Sequence, residues 1–316
     1  MKIAIIGSGA MGSLYGAKLS KNRDNKVYLL DVWREHIDAI NAEGLKMHEC
    51  SHGESRGENT LVYKELIATD NPEDIGEVDL AIVFVKSSST EAAVKFSQAV
   101  IGDKTVILTL QNGLGNADII ESAVGAGRVV AGTTSHGANT IRAGEICHAG
   151  EGPTVIGELY EGADERLMKI KENFEASGLQ VEIANDVLAL IWDKLLVNVG
   201  INPITAILGL RNGEIPEYPD ADKLMEAAVL EADSIRRAAG ISAGSGDPVE
   251  HVRSVCRRTA QNRSSMLQDI ASNRKTEIDF INGAIVREGM RLGIPTPVNA
   301  ALVHMIKILE EKESGQ

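Results

Sequence analysis

Short apolar runs alternate with segments of helical periodicity over the first part of the chain. The apolar runs predict buried strands, and the spacing of apolar residues predicts helices at 13–20, 33–42 and 163–177. The strands are expected at residues 2–6, 26–30, 79–85, 105–110, 129–132, 145–149, 154–157 and 180–183, with short edge strands within 44–63 around a polar loop. Alternating strands and helices predict an α/β fold with a doubly wound, Rossmann-type parallel sheet.

The pattern changes beyond residue 185, where the remaining periodic segments are all helical. A helix interrupted once is predicted at 188–214, and further helices are predicted at 220–239, 248–258, 266–288 and 299–311. A chain of 316 residues is long enough for two domains. We therefore expect a dinucleotide-binding domain at 1–184 and an all-helical domain for substrate binding and dimerisation at 185–316.

The apolar run within the segment 188–214 contains one cation and two amides. Lys194, Asn198 and Asn202 are spaced four residues apart, so they share one helix face. Pro203 lacks an amide proton, and it is expected to end the helix at Asn202. Two interpretations remain open. Lys194 could be a proton donor in a dry cleft, or it could extend to water while the asparagines cap the broken turn.

A glycine-rich segment, Gly7-Ser8-Gly9-Ala10-Met11-Gly12, lies between the first predicted strand and the first predicted helix. In this context Gly7 allows the turn, Gly9 allows close approach of a pyrophosphate, and Gly12 allows helix and strand to pack closely. The helix N-terminus would attract the phosphates. The segment predicts dinucleotide binding, and a plain glycine-rich turn is the alternative.

Charged and polar residues follow the predicted strands. Asp31 follows the second strand, where a carboxylate can accept the ribose hydroxyls of adenosine and repel a 2′-phosphate. Arg34 could instead reach a phosphate, and Asp31 could simply cap the next helix. Lys86 and Asn112 follow two later strands, at the sheet edge where ligands bind, although Lys86 could equally be solvated.

Net charge and cysteine content limit which partners and which cellular compartment are expected. The net charge of −13 argues against nucleic acid or an anionic membrane as a partner. The N-terminal apolar run is too short for a signal peptide or a spanning helix. Cys50, Cys147 and Cys256 are too few and too scattered for a disulfide framework, which suits a reducing cytoplasm. Cys50 with His52, and Cys147 beside His148, could alternatively meet at a metal, although no metal is expected.

Over essentially its whole length the chain resembles the ketopantoate reductases (2-dehydropantoate 2-reductases). The resemblance is specific because several of the shared motifs lie outside the dinucleotide-binding part. These motifs are Gly7 to Gly12, Val85-Lys86-Ser87, Leu110-Gln111-Asn112-Gly113, Gly132-Thr133-Thr134-Ser135-His136, Trp192-Asp193-Lys194-Leu195, Asn202-Pro203-Ile204-Thr205-Ala206, Asn212-Gly213-Glu214, and Ser264-Ser265-Met266-Leu267-Gln268-Asp269 running on to Glu277.

The resemblance implies a reductase of pantothenate and coenzyme A biosynthesis, with its active site between the two domains. It makes Lys194 the general acid and has Glu277 contact both cofactor and substrate. Asn198, Asn202, Asn212 and Ser265 would hold the substrate, while Lys86, Asn112 and Ala138 would lie along an NAD(P)H cofactor. From its local pattern, Glu277 is expected within a helix, where an ion pair with Arg274 is the alternative role.

One residue departs from the family pattern. Many family members use NADPH and have a neutral or basic residue where this chain has Asp31, which favours NAD(H) here. An NAD-dependent reductase or dehydrogenase of another branched 2-oxo or 2-hydroxy acid is therefore an alternative function. A nucleotide-binding sensor without turnover is the second alternative, although a sensor needs no proton donor such as Lys194.

Overall fold

The computed structural model describes residues 1–51, 54–125, 127–159, 164–242, 244 and 246–314. The chain divides into two compact units. One, called here the sheet unit, comprises Met1–Gln111 and Asn116–Val187, and the other, the helical unit, comprises Asn112–Gly115 and Leu188–Gln316. The short segment at 112–115 thus belongs to the helical unit, although in the sequence it falls between the two segments of the sheet unit.

An eight-stranded sheet forms the centre of the sheet unit, in the order β12-β11-β8-β7-β6-β1-β2-β5. Its central strands pair in parallel, and β11 runs antiparallel to β8. The strands are β1 (Lys2–Ile6), β2 (Lys26–Leu30), β5 (Ile67–Thr69), β6 (Leu80–Val83), β7 (Val106–Thr109), β8 (Val129–Thr134), β11 (Thr154–Glu158) and β12 (Val181–Ile183). The central strands are buried on both faces, as expected of a parallel sheet covered by helices. The predicted α/β fold is confirmed.

A second, four-stranded sheet in the same unit has the order β4-β3-β10-β9. Its strands are β3 (Leu45–Ser51), β4 (Glu54–Tyr63), β9 (Gly137–Arg142) and β10 (Glu145–Gly150). The sequence indicated strands at three of these places. It missed β9, whose exposed and half-buried residues carry no apolar pattern, and it assigned to a polar loop most of the residues that begin β4.

The helices of the sheet unit are α1 (Ala10–Leu19), α2 (Arg34–Glu43), α3 (Thr90–Phe96), α4 (Asn116–Val124) and α5 (Asp164–Ala176). The predicted start of the last of these, at residue 163, lies outside the described residues. The helical unit contains α6 (Val187–Leu208), α7 (Pro219–Ala238), α8 (Pro248–Arg258), α9 (Ser265–Ala271), α10 (Asn282–Leu292) and α11 (Pro297–Ser314). Short 3₁₀ turns precede α7 and α10.

The central helix α6 runs through Pro203 without a break, so the prediction that the helix ends at Asn202 is wrong. Proline costs a helix the hydrogen bond to the carbonyl four residues earlier. Here the carbonyl of Val199 accepts from the side chain of Asn282 instead. The helix is long and apolar enough to span a membrane by those criteria alone, but Trp192, Leu195 and Val199 are buried in the core of the helical unit.

The predicted helix 266–288 is also wrong as a single element. It is divided into α9 and α10, and Asn273 between them has a positive φ of 51°. A left-handed residue cannot continue a right-handed helix, although asparagine tolerates that conformation better than most residues. Glu277 therefore lies in the connecting segment, directly before a 3₁₀ turn, and Arg274 pairs with Asp269.

Cys50 and Cys147 form a disulfide that joins β3 to β10, which corrects the expectation drawn from their scatter. The two residues are 97 positions apart in the sequence, but β3 and β10 are neighbours, and Cys147 pairs in register with His48. The bridge uses the two thiols that the sequence also offered as possible metal ligands, so neither thiol is free to bind a metal. His52, the proposed companion of Cys50, lies outside the described residues. Cys256 is a free, buried thiol.

Candidate active site

Lys194 lies on α6 between buried residues of the helical core, Trp192 and Leu195. Its side chain is half-buried. Burial lowers the pKa of the ammonium group to about 8, and the negative charge of Glu277 opposes this shift. A lysine with this pKa is still mostly protonated at neutral pH, yet it gives up its proton more readily than an exposed lysine.

Glu277 is buried to 8% exposure in the segment between α9 and α10. Its Oε2 accepts a long hydrogen bond of 3.5 Å from Nδ2 of Asn112. The preceding residue is also fixed, since the backbone N–H of Thr276 donates to Oε1 of Glu310 over 2.7 Å. Three residues distant in sequence, Lys194, Glu277 and Asn112, are thereby associated within the helical unit.

Three amide side chains in this unit, those of Asn198, Asn212 and Asn282, each have one buried atom without a hydrogen-bond partner among the described residues, and the first two are predicted substrate-binding residues. Nδ2 of Asn198, on α6, is buried without a hydrogen-bond partner among the described residues. Asn212 donates through Nδ2 to Oγ1 of Thr259, over 2.9 Å, and its Oδ1 is buried and unpaired in the part of the chain that is described. Because unpaired buried polar atoms are rare and costly, these two are candidates to bind a ligand.

Hydroxyl groups link α6 to α9. Ser264 caps α9 by accepting the backbone N–H of Leu267, and it lies 2.7 Å from Oγ1 of Thr205. Thr205 is fully buried on α6, one turn beyond Asn202, whose side chain is also buried. Ser265 begins α9 and is exposed. The Thr205–Ser264 contact fixes the start of α9, and with it Ser265, relative to the face of α6 that bears the asparagines.

The glycine-rich segment of the sheet unit has the conformation that a phosphate-binding turn requires. Gly7 has a φ of 95°, and a Cβ on Gly12 would lie 1.9 Å from the carbonyl oxygen of Gly7. A Cβ on Gly9 would meet no atom within 4 Å in the described structure, so the backbone there faces open space. The first turn of α1 bears no acidic residue. This leaves its amides available to an anion.

Asp31 follows β2 and holds this turn. Its Oδ2 accepts from both the backbone N–H and the hydroxyl of Ser8, and its Oδ1 accepts from the backbone N–H groups of Val32 and Trp33. Arg34 pairs with Asp70 at 3.0 Å and is 80% exposed. Lys86 is exposed after β6, and Ala138 is half-buried on β9.

Two family models match the chain. The model of ketopantoate reductase PanE/ApbA matches residues 3–161, and the model of its C-terminal part matches residues 186–310. The chain belongs to the ketopantoate reductase family. A 2-dehydropantoate 2-reductase of Halobacterium salinarum is 36% identical and covers 98% of this chain and 99% of its own. The resemblance seen in the motifs is confirmed.

Solved structures give the same family fold. A PanE/ApbA family ketopantoate reductase from Ralstonia eutropha superposes with a TM-score of 0.89 at 29% identity, covering 99% of this chain and all of its own. A D-mandelate dehydrogenase in complex with NADH and anilino(oxo)acetate gives 0.91 at 30% identity, covering 99% of each chain. The family fold thus accommodates a nicotinamide cofactor, and it occurs with more than one named substrate class.

Several residues that shape the candidate site received no role from the sequence. Thr259 orients Asn212, Glu310 fixes the segment before Glu277, and Thr205 connects α6 to Ser264. Thr259 and Glu310 were missed because hydroxyl and carboxylate side chains on helices resemble ordinary surface residues. Thr205 and Ser264 stood in shared motifs without an assigned role, and Ser264 also directly precedes a helical run. Among the described residues no group of three or more His, Cys, Asp or Glu side chains could hold a metal ion.

Proposed function

We propose that this ketopantoate reductase family member reduces 2-dehydropantoate to (R)-pantoate, with a nicotinamide cofactor as hydride donor and Lys194 as proton donor. The observation that carries the proposal is the half-buried Lys194. Burial lowers the pKa of its ammonium group to about 8, and the negative charge of Glu277 opposes this shift. The 2-dehydropantoate 2-reductase relatives at 29–36% identity over nearly the full chain support it.

A bound nicotinamide supplies the hydride that adds to the ketone carbon. The ammonium group of Lys194 stabilises the negative charge that develops on the ketone oxygen and then donates a proton to that oxygen. Glu277 keeps a larger fraction of Lys194 protonated at neutral pH than burial alone would allow. Lys194 and Glu277 are thus the proposed catalytic pair.

The residues of the sheet unit fit a dinucleotide. The open backbone at Gly9 and the turn at Gly7 would receive the pyrophosphate at the start of α1. We assign the whole segment from Gly7 to Gly12, including Ser8, Ala10 and Met11, to cofactor binding. Lys86, Asn112, Ala138 and Glu277 would also contact the cofactor, as the family resemblance implies.

Asp31 makes NADH the proposed cofactor in preference to NADPH. Its carboxylate is held beside the glycine-rich turn by Ser8, so its charge would lie close to an adenosine ribose and repel a 2′-phosphate. Arg34, which could neutralise such a phosphate, is already paired with Asp70 in this structure.

Asn198, Asn202, Asn212 and Ser265 are the proposed substrate-binding residues. The unpaired Nδ2 of Asn198 is a donor, which suits the substrate carboxylate or ketone. The unpaired Oδ1 of Asn212 is an acceptor, which suits the substrate hydroxyl. Together these two atoms match a 2-oxo acid that carries a hydroxyl group, as 2-dehydropantoate does.

A second candidate function is the NAD-dependent oxidation or reduction of another 2-hydroxy or 2-oxo acid. The likeness to D-mandelate dehydrogenase with NADH favours it. Mandelate lacks a second hydroxyl group, and a substrate of that kind would leave Oδ1 of Asn212 unpaired. That cost favours 2-dehydropantoate over such acids.

Domain roles and partners follow the same proposal. Residues 1–184 would bind the cofactor, and residues 185–316 would bind the small-molecule substrate. The helical unit exposes roughly half of the surface of Leu230, Met305 and Ile308, which fits a homodimer. We propose a cytoplasmic enzyme. The net charge of −13 supports the further proposal that it acts on neither nucleic acid nor anionic membranes.

Steady-state kinetics of the purified protein test this function. Turnover of 2-dehydropantoate should be measured with NADH and with NADPH, beside a panel of branched and aromatic 2-oxo acids. We expect the highest kcat/KM with 2-dehydropantoate and NADH. Higher efficiency with a 2-oxo acid lacking the hydroxyl would favour the second candidate, and cofactor binding without any turnover would favour a sensor.

A further inference from the structure

His36 is a buried imidazole that the proposed chemistry does not use. It lies in the first turn of α2, is 0% exposed, and stacks against Trp33 at a ring distance of 4.7 Å and an interplanar angle of 8°. A fully buried imidazole is costly unless both ring nitrogens are hydrogen-bonded. The partners of His36 therefore show what the residue holds in place.

Both nitrogens have partners from other elements of the sheet unit. The backbone N–H of Gly144, in the turn between β9 and β10, donates to Nδ1 over 2.9 Å. Nε2 lies 3.0 Å from Oγ of Ser13 on α1. Because an N–H can only donate, Nδ1 must be the acceptor, which leaves the proton on Nε2. Burial lowers the pKa of His36, which keeps this neutral form, although Asp31 nearby opposes the shift.

The chain of hydrogen bonds continues into the glycine-rich turn. Oγ of Ser13 lies 2.7 Å from the carbonyl oxygen of Ser8, and a carbonyl can only accept, so the Ser13 hydroxyl donates to it. Ser13 is thus left to accept the Nε2 proton of His36. Ser8 is held on its other side by Asp31, which accepts its N–H and its hydroxyl.

We propose that His36 is a positioning residue for the cofactor: its Nε2 proton orients the Ser13 hydroxyl, which fixes the Ser8 carbonyl and hence the phosphate-binding turn. The inference rests on the proposed dinucleotide-binding function. His36 touches neither cofactor nor substrate in this assignment. It acts through Ser13, and the Gly144 bond sets which ring nitrogen carries the proton.

Replacing His36 with glutamine or with asparagine distinguishes its hydrogen bond to Ser13 from its hydrogen bond to Gly144. In His36→Gln the terminal NH₂ can reach Ser13 and preserve the donor, whereas in His36→Asn the amide oxygen can accept from Gly144 but the donor to Ser13 is lost. We expect His36→Asn to weaken NADH binding by about tenfold, the effect of one net hydrogen bond, and His36→Gln to bind nearly as the parent. Isothermal titration with NADH measures both constants.

Thermal unfolding of each variant separates positioning from stability. A merely structural His36 would lower the unfolding midpoint and leave the NADH dissociation constant unchanged in both variants, which would overturn the inference. Equal weakening in the Gln and Asn variants would also overturn it, since the Ser13 bond would then not be the connection that matters.

Ser13→Ala removes the next hydrogen bond in the series, the one from Ser13 to the Ser8 carbonyl. It tests the positioning role if neither His36 variant folds. We expect it to weaken NADH binding as His36→Asn does, and the two changes together should cost little more than either alone. Parent-like NADH binding by Ser13→Ala would overturn the inference. If the parent protein binds neither NADH nor NADPH, the proposed function fails first and the inference with it.

Discussion

The side-chain amide of Asn282 donates to the backbone carbonyl of Val199 over 3.3 Å. This is the carbonyl that Pro203 leaves without a helical donor. Asn282 is fully buried and also donates to Oδ1 of Asn299 over 2.9 Å. The contact gives a donor to the Val199 carbonyl within α6, which runs as one helix from Val187 to Leu208 and carries Lys194, Asn198 and Asn202 on one face.

Replacing Asn282 with alanine should therefore destabilise the protein by about 1–3 kcal/mol, because the Val199 carbonyl would be buried without a donor. Urea unfolding measures the loss. Pro203→Ala restores a backbone N–H to the helix, so the same Asn282→Ala change should cost less in that background. Equal costs in the two backgrounds would show that the carbonyl is not the reason for the loss.

The sequence could not have revealed this contact. Periodicity located the helix and its polar face, and proline correctly marked a missing donor. The replacement donor comes from a residue 83 positions away, which no local pattern reports. The Cys50–Cys147 bridge was hidden for the same reason, since β3 and β10 become neighbours only in the folded sheet. The glycine-rich turn and Asp31 were predictable because their signal is local, whereas the break at Asn273 depends on one left-handed residue.

Lys194→Met should lower kcat by about 10²- to 10⁴-fold, the usual contribution of a general acid. Lys194→Arg is the matched control, because arginine keeps the charge but does not give up a proton in proteins. Single-turnover kinetics with 2-dehydropantoate should show both variants impaired, while NADH binding stays near that of the parent. Activity retained by the arginine variant would mean that charge alone, not proton donation, is required.

The pH dependence of reduction should reflect the pKa of about 8 at Lys194. Activity needs the protonated form, so kcat/KM should hold below this pH and fall as the pH rises through it. Glu277 raises the pKa of Lys194, so Glu277→Gln should move the alkaline limb to lower pH. If the alkaline limb does not move in this variant, Glu277 does not influence the pKa of the group that titrates, whatever happens to the maximal rate.

Asp31→Asn should raise the ratio of kcat/KM with NADPH to that with NADH by on the order of ten- to a hundredfold, since it removes a charge that repels the 2′-phosphate. Asparagine keeps an oxygen that can accept from Ser8, but its NH₂ group then faces the backbone N–H groups of Val32 and Trp33, so some loss of binding is expected with either cofactor. Taking the ratio cancels any loss that both cofactors share. An unchanged ratio would refute the role of Asp31 in cofactor choice.

Thr259 should govern which 2-oxo acid is preferred, through its contact with Asn212. The Thr259 hydroxyl donates to the carbonyl of Val255 over 2.8 Å, so its oxygen accepts Nδ2 of Asn212. This fixes the orientation in which Oδ1 of Asn212 is left to accept. Thr259→Val has nearly the same shape but cannot accept, so the amide is free to turn over and present its NH₂ group instead.

We expect Thr259→Val to raise the KM for 2-dehydropantoate about tenfold, the effect of one net hydrogen bond. The branched 2-oxo acid of the same skeleton without the hydroxyl should be reduced with an unchanged KM. Comparing the two substrates in parent and variant separates loss of hydroxyl recognition from general damage, because damage would raise both KM values together. If the variant kept the parent's preference, Asn212 would not be the residue that reads the substrate hydroxyl.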